Sequence, residues 1–183
     1  MGPAAVPVRS PARRRWWALA VGVPVGVGLW FGLTVAEGSA GPREAASFSL
    51  PRLGGGPSVS LPVARRAHTP VVLTFFASWC TPCLTELPMV ADVARHELAT
   101  DARVAFIGID GNDDPSAGLA FARTSGVRFP VGSDYESVVA PRYLLVGYPD
   151  TVFVDATGHV AGTVHGPVSR SVLQGWLRRL TAA

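Results

Sequence analysis

The stretch Val71-Val72-Leu73-Thr74-Phe75-Phe76-Ala77-Ser78-Trp79-Cys80-Thr81-Pro82-Cys83-Leu84-Thr85-Glu86-Leu87-Pro88 decides the fold. Its first six residues form a β-rich, almost wholly apolar run of the kind found in parallel strands buried on both faces. A helix is expected from about Cys80 to Ala99, because Leu84, Leu87, Ala91, Ala94 and Leu98 recur at spacings of three and four. Pro88 interrupts that stripe and is expected to kink it. The only two cysteines of the chain therefore fall where a buried strand ends and a helix begins. Cys80 would lie at the helix N-terminus, where unpaired N–H groups and the helix dipole stabilise a thiolate. Cys83, one turn further in, would be more buried and able to attack a mixed disulfide formed at Cys80. Pro82 falls in the first turn, where a missing N–H costs little. This is the arrangement that thiol–disulfide exchange requires.

Other uses of two cysteines fit less well. A solvent-facing helix start in an oxidising compartment would not keep them inert. Two thiolates are half a zinc site, and His68, His96, His159 and His165 lack ligand spacing to them or to each other. A copper(I) carrier using the dithiol alone stays open. The peroxiredoxin pattern Pro-x3-Thr-x2-Cys is absent, since Leu73 and Ala77 stand at its positions before Cys80.

Outward from the junction, Val104–Ile109 reads as the next buried strand. Asp114 then caps a helix with Pro115 at its first position and Gly126 just past its end. A loop and a short helix around Glu136–Ala140 lead to Thr151–Asp155, which turns at Ala156-Thr157-Gly158 into His159–Val164 as a hairpin. Ser169 caps a closing amphipathic helix through Val172, Leu173, Trp176, Leu177 and Leu180. Before the central stretch, Phe48–Leu50 and Val59–Leu61 are short strands around the turn at Gly54-Gly55-Gly56-Pro57. This order implies an α/β domain with a central mixed sheet covered on both faces. Arg65-Arg66 and Asp113-Asp114 read as solvated charge.

With 183 residues, 48% hydrophobic and 16% charged, the chain is not an acidic or basic disordered polypeptide. All 16 basic residues are arginine, and the net charge is +3. Four of those arginines (Arg9, Arg13, Arg14, Arg15) precede residue 37 with no acid beside them. The rest of the chain carries 12 arginines against all 13 acids, so no basic face suggests a nucleic-acid partner.

Trp16–Ala36 is a 21-residue run without a charge. As a helix it would be about 31 Å long, the thickness of a bilayer core. Trp16, Trp17 and Trp30 suit the interfaces, and the arginines on the N-terminal flank place that end in the cytoplasm. The expected organisation is a basic cytoplasmic tail (1–15), a transmembrane anchor or uncleaved signal (16–36), a linker (37–46) and a globular domain (47–183). A cleaved signal peptide with a secreted domain is the alternative, although Ala36-Glu37-Gly38 and Gly38-Ser39-Ala40 are poor cleavage sites. In either case the domain folds in a compartment where disulfides persist.

Phe76-Ala77-Ser78-Trp79-Cys80-Thr81-Pro82-Cys83 followed by Glu86-Leu87-Pro88 resembles the membrane-anchored thioredoxin-like proteins of the TlpA/ResA/DsbE type. The resemblance continues through Gly108-Ile109-Asp110, Phe129-Pro130-Val131 with Asp134, and Gly147-Tyr148-Pro149 running into Phe153-Val154-Asp155 and Gly158. It covers roughly residues 46–180. It implies a thioredoxin-like α/β fold, a central mixed β-sheet flanked by helices. An N-terminal β-hairpin, a central insertion near 111–134 and one preceding transmembrane helix come with it. Cys80 is then the attacking thiol and Cys83 the resolving one. Trp79 shields the pair, Pro149 is a cis-proline opposite the disulfide, and Tyr148 touches the thiols and the substrate. Glu86, one turn after Cys83, would have a raised pKa and take a proton from it. Its usual rival, a buried aspartate near the end of the first core strand, is Thr74 here. His165-Gly166 would lie beside the site as an ordinary strand end.

The implied function is an extracytoplasmic protein thiol–disulfide oxidoreductase with no cofactor beyond its own Cys80–Cys83 disulfide. A reductant is favoured, because Thr81-Pro82 supplies no cation to the thiolate. Cytochrome c maturation is one context for such a reductant. A disulfide-donating oxidant and a dithiol copper-binding module are the alternatives. The implied partners are exported protein thiols or disulfides and a membrane thiol-electron carrier.

Overall fold

The computed structural model describes residues 43–100 and 103–182. The expected tail (1–15), the membrane span (16–36) and the linker as far as residue 42 lie outside the described residues. No helix among the described residues is long and apolar enough to cross a membrane.

The elements in chain order are β1 (Ser49–Leu50), β2 (Val59–Ser60), α1 (Leu61–Ala64), β3 (Val71–Phe76), α2 (Cys83–Thr100), β4 (Ala105–Gly111), α3 (Pro115–Thr124), β5 (Val131–Asp134), β6 (Asp150–Val154), β7 (Val160–His165) and α4 (Arg170–Thr181). Strands β3 to β7 form one mixed sheet in the order β5-β4-β3-β6-β7. β3 pairs parallel to β4 and antiparallel to β6, so it is the central strand. All six of its residues are buried. Alternation splits them between two cores. Val72 and Phe76 join residues of α2 and α4, with Phe106 and Phe153. Val71, Leu73 and Phe75 join Ile107, Ile109, Val152, the β1–β2 hairpin and Tyr143. One face is thus closed by helices and the other largely by the hairpin and the Ala140–Tyr143 turn.

The caps are where the sequence places them. The Asp114 side chain accepts from the Ser116 and Ala117 N–H groups, Pro115 opens α3, and Gly126 follows with φ +73°. The Ser169 side chain accepts from Val172 N–H. β1 and β2 pair antiparallel as the expected hairpin. The 111–134 segment, expected as an insertion, forms α3 and the edge strand β5.

Several local expectations need correction. Leu84 and Leu98 are about half exposed, as is Val172. The buried face of α2 is instead Cys83, Glu86, Leu87, Val90, Ala91, Val93 and Ala94, a stripe rotated toward the sheet. The helix runs through Pro88 unbroken and begins at Cys83, so Cys80 sits in the preceding turn. β5 forms a strand where the sequence pattern suggests a loop. It pairs parallel with β4, and residues 51–53 cover its other edge through Ser133 N–H to Pro51 O and Leu53 N–H to Val131 O. The short helix is a 3-10 turn at Ala140–Tyr143, later than expected. Arg43–Ala46 fall in the expected linker (37–46), yet Val160 N–H donates to Arg43 O, Ala45 N–H donates to Gly158 O, and Ala45 is buried. Small residues fit there against the β6–β7 turn, so the packed chain already includes Arg43.

Trp176 of α4 stacks on Phe153 of β6, with ring centroids 4.6 Å apart and planes 10° from parallel. The indole lies where a side chain on Gly162 of β7 would stand. Gly162→Val should therefore cost about 1–3 kcal/mol by overpacking. Urea unfolding of the oxidised protein measures this, and an unchanged midpoint would contradict the packing described.

Candidate active site

β3 ends at Phe76, and residues 77–82 turn into α2. Cys80 and Cys83 form a disulfide across that junction, with sulfurs 2.03 Å apart. Cys83 N–H donates to Cys80 O at 3.1 Å and to Cys80 Sγ at 3.2 Å. The sulfur of Cys80 thus accepts at the helix start, where a thiolate would be stabilised. Cys83 is fully buried, as expected. Cys80 is only 4% exposed, less open than a solvent-facing helix start implies. Pro82 is exposed and precedes the first helical residue. Trp79, 57% exposed, stands beside the pair with its Nε1–H donated to Asn112 O at 2.8 Å.

The Tyr148–Pro149 peptide bond is cis. Pro149 immediately precedes β6, whose first residue, Asp150, pairs with Phe75 near the end of β3. The antiparallel register therefore brings the cis-proline to the sheet end that carries the cysteines. The Tyr148 ring meets Trp79 edge-on at 5.7 Å and packs against the core cluster that includes both cysteines. Its hydroxyl occupies the space that a side chain on Gly111 would need.

Glu86 is buried on α2, one turn after Cys83. Its Oε2 accepts the Val168 N–H at 2.6 Å. Burial pushes its pKa up to about 7. The Val168 hydrogen bond works against the rise, and the nearby Asp150 charge adds to it. Such a group exchanges protons near neutral pH.

Asp150 and Asp113 have partners that the sequence alone does not mark. Asp150 is fully buried and accepts from Gly166 N–H at 3.0 Å and Val146 N–H at 3.2 Å. His165 Nδ1 lies 2.8 Å from Asp150 Oδ2. His165 is therefore a tether of the residue next to the cis-proline rather than an idle strand end. Asp113, read as solvated, is buried and accepts from Ser78 N–H at 2.5 Å and from Ser78 Oγ–H at 2.8 Å. A lone acid opening an apolar strand was the available signal for Asp150, whereas Asp113 carried none. Arg65 is likewise not simply solvated, since its guanidinium lies against Gly158. Among the described residues no group of three or more His, Cys, Asp and Glu side chains is arranged to hold a metal ion.

Residues 42–163 match the model of the AhpC/TSA family. The chain belongs to that family. It is 26% identical over 111 residues to the thiol-disulfide oxidoreductase ResA of Bacillus thuringiensis, covering 61% of this chain and 63% of that protein. The chain thus spans less than two thirds of that relative's length. It is 29% identical over 164 residues to the soluble secreted antigen MPT53 of Mycobacterium bovis, covering 88% and 91% of the two chains. The structure of MTB dsbF in mixed oxidised and reduced forms superposes with a TM-score of 0.64 at 29% identity, covering 73% of this chain and 94% of that one. The fold is therefore thioredoxin-like, as the active-site motif implied.

Glu86 gives the domain a defined pH response. In the unfolded chain it titrates near 4.5 and in the fold near 7. Between those values only the folded protein keeps the proton. Its stabilising contribution is complete below about pH 4.5 and is lost as pH rises through about 7. Glu86→Gln should remove that fall, leaving the variant roughly 3 kcal/mol less pH-dependent across the window. Denaturant unfolding of oxidised wild type and variant, in which the cysteines cannot titrate, measures the difference. Parallel pH profiles would contradict the assignment.

Proposed function

We propose that this protein is an extracytoplasmic thiol–disulfide oxidoreductase that reduces disulfides in exported proteins through Cys80 and Cys83. The observation that carries the reading is the Cys80–Cys83 disulfide at the start of α2, at the sheet end shared with cis-Pro149 and flanked by buried Glu86. The names of relatives point the same way: ResA is called a thiol-disulfide oxidoreductase, and MPT53 a secreted antigen.

In the reducing direction the Cys80 thiolate attacks one sulfur of a substrate disulfide. A mixed disulfide forms and one substrate thiolate leaves. Glu86 accepts the proton of the Cys83 thiol, and the Cys83 thiolate attacks the Cys80 sulfur. The second substrate thiolate is released, and the Cys80–Cys83 disulfide forms. Two electrons pass from the dithiol to the substrate. Trp79 at 57%, Leu84 at 53% and Val146 at 78% exposure offer apolar surface to an extended substrate segment. The backbone beside cis-Pro149 supplies hydrogen-bonding groups for the same segment.

Recharging requires a dithiol donor, and an anchor at residues 16–36 would place the domain beside a membrane thiol carrier. An exported apocytochrome c, whose haem-attachment cysteines must be reduced, is a substrate of the right chemistry.

Thr81-Pro82 adds no cation beside the Cys80 sulfur, so the thiolate is stabilised by the helix start alone. The reduction potential of Cys80–Cys83, equilibrated against glutathione or dithiothreitol buffers, should lie near or below about −230 mV. A value near about −120 mV would make the protein a disulfide donor and reverse the proposed direction.

A further inference from the structure

Asp110, on β4, is a fully buried acid that the exchange steps do not use and, unlike Asp150, it has no hydrogen-bond donor beside it among the described groups. It lies in register with Phe76 of β3 and Ser133 of β5. Its carboxyl fills the space that a side chain on Gly118 of α3 would take, and neither of its oxygens meets a hydrogen-bond donor among the described groups. Asp113 faces it. Both Asp113 oxygens already accept from Ser78. Two adjacent buried carboxylates do not both ionise.

We propose that Asp110 and Asp113 form a carboxyl pair sharing one proton, and that this pair positions the active-site turn Ala77–Cys80 for exchange. The proposal rests on the exchange function assigned to Cys80–Cys83. With Asp110 protonated, its hydroxyl points at the carboxylate that Ser78 holds, and the pair carries one negative charge. The grip extends to the next residue, because Trp79 Nε1–H donates to Asn112 O between the two acids. Two consecutive residues before Cys80 are therefore fastened to the loop that follows β4. Asp110 and Asp113 are positioning residues, since they act on Cys80 through Ser78.

The other charged or titratable groups around Asp110 leave it this role. Burial is the main cause of its raised pKa, followed by the charge and hydrogen bonding of Asp113 and then the charge of Asp114, which together push it up to about 8. Asp114 itself is exposed and committed to the α3 cap through Ser116 and Ala117. Asp134 of β5 is taken up by the N–H groups of Val138, Val139 and Ala140. From the cis-proline loop the Tyr148 phenol approaches. Its pKa is raised chiefly by its own burial, with the Asp134, Asp110 and Asp150 charges adding to that. Loss of the Asp110 proton sets two carboxylates side by side, and the strain is relieved at the Ser78 hydrogen bonds. The turn then loosens, and exchange through Cys80 slows.

The test uses the full-length chain. Fluorescence of the oxidised protein, with the signal of a Trp79→Phe variant subtracted, isolates Trp79 in a state whose cysteines cannot titrate. It should show a step near pH 8 that is absent from Asp110→Asn, whose amide donates to Asp113 but does not ionise. Asp110→Asn should keep its pH 7 rate of protein-disulfide reduction within about twofold of wild type, and its rate should not fall through that step. Asp113→Asn, which loses an acceptor for Ser78, should be about tenfold slower at every pH, the worth of one hydrogen bond to a charged group. A step that persists in Asp110→Asn would overturn the pair. So would an Asp113→Asn variant that reduces at the wild-type rate while unfolding earlier, because its role is then only structural. Wild-type protein that shows the step but reduces no disulfide would instead sink the oxidoreductase reading and leave the one-proton pair standing.

Discussion

Strand β3 is buried on both faces and hydrogen-bonded along both edges, and the site is built on its end. Its six residues leave it no freedom to slide, because a one-residue slip would exchange the two cores that Val72 and Phe76 on one side, and Val71, Leu73 and Phe75 on the other, hold together. The chain therefore leaves Phe76 at a fixed point. After six intervening residues it must be helical, since Cys83 begins the buried stripe of α2. The cysteines occupy the short turn between two rigid elements. Parallel pairing with β4 brings Asp110 and the Asn112–Asp113 loop to the same end of the sheet, and antiparallel pairing with β6 brings Pro149 and Asp150 there.

Acids surround this end in an unusual density for a buried region. Glu86, Asp110, Asp113 and Asp150 are all buried. Burying charge without compensation is costly, and each acid meets that cost differently. Asp150 gathers two backbone N–H groups and His165. Asp113 takes both donors of Ser78. Glu86 takes one backbone N–H and titrates near 7, and Asp110, with no donor, is held neutral. Strong pKa perturbation concentrated around one disulfide is a mark of a reactive centre. Trp79, tied to the Asn112 carbonyl beside Asp113, is also exposed to a partner.

Much of this was legible because the signals are local. An apolar six-residue run, the strand–helix position of Cys80 and Cys83, and the caps Asp114-Pro115 and Ser169 each act over one turn or one strand. What the sequence hid depends on distant neighbours. β5 is four residues long with Gly132 inside it, and it is a strand because β4 and residues 51–53 border it. Leu84 and Leu98 keep helical spacing but sit on the outer shoulder of α2, where the sheet does not reach. Ala45 is small and follows two charged residues, so nothing local marks it as buried. Asp113 looked like half of a solvated acidic pair, and only the fold shows that Asp114 caps α3 while Asp113 turns inward to Ser78. Cys80, Cys83, Glu86, Trp79 and the Tyr148–Pro149 bond were readable because the resemblance supplied the distant partner of each.

The central claim is a division of labour, with Cys80 attacking and Cys83 resolving. It is tested most directly by trapping covalent complexes with exported proteins in cells producing single-cysteine variants. Cys83→Ser should accumulate mixed disulfides through Cys80, because the resolving step is gone, and Cys80→Ser should trap none. Complexes formed by Cys80→Ser through Cys83 would contradict the account, since Cys83 is fully buried in the structure and Cys80 alone sits at the turn.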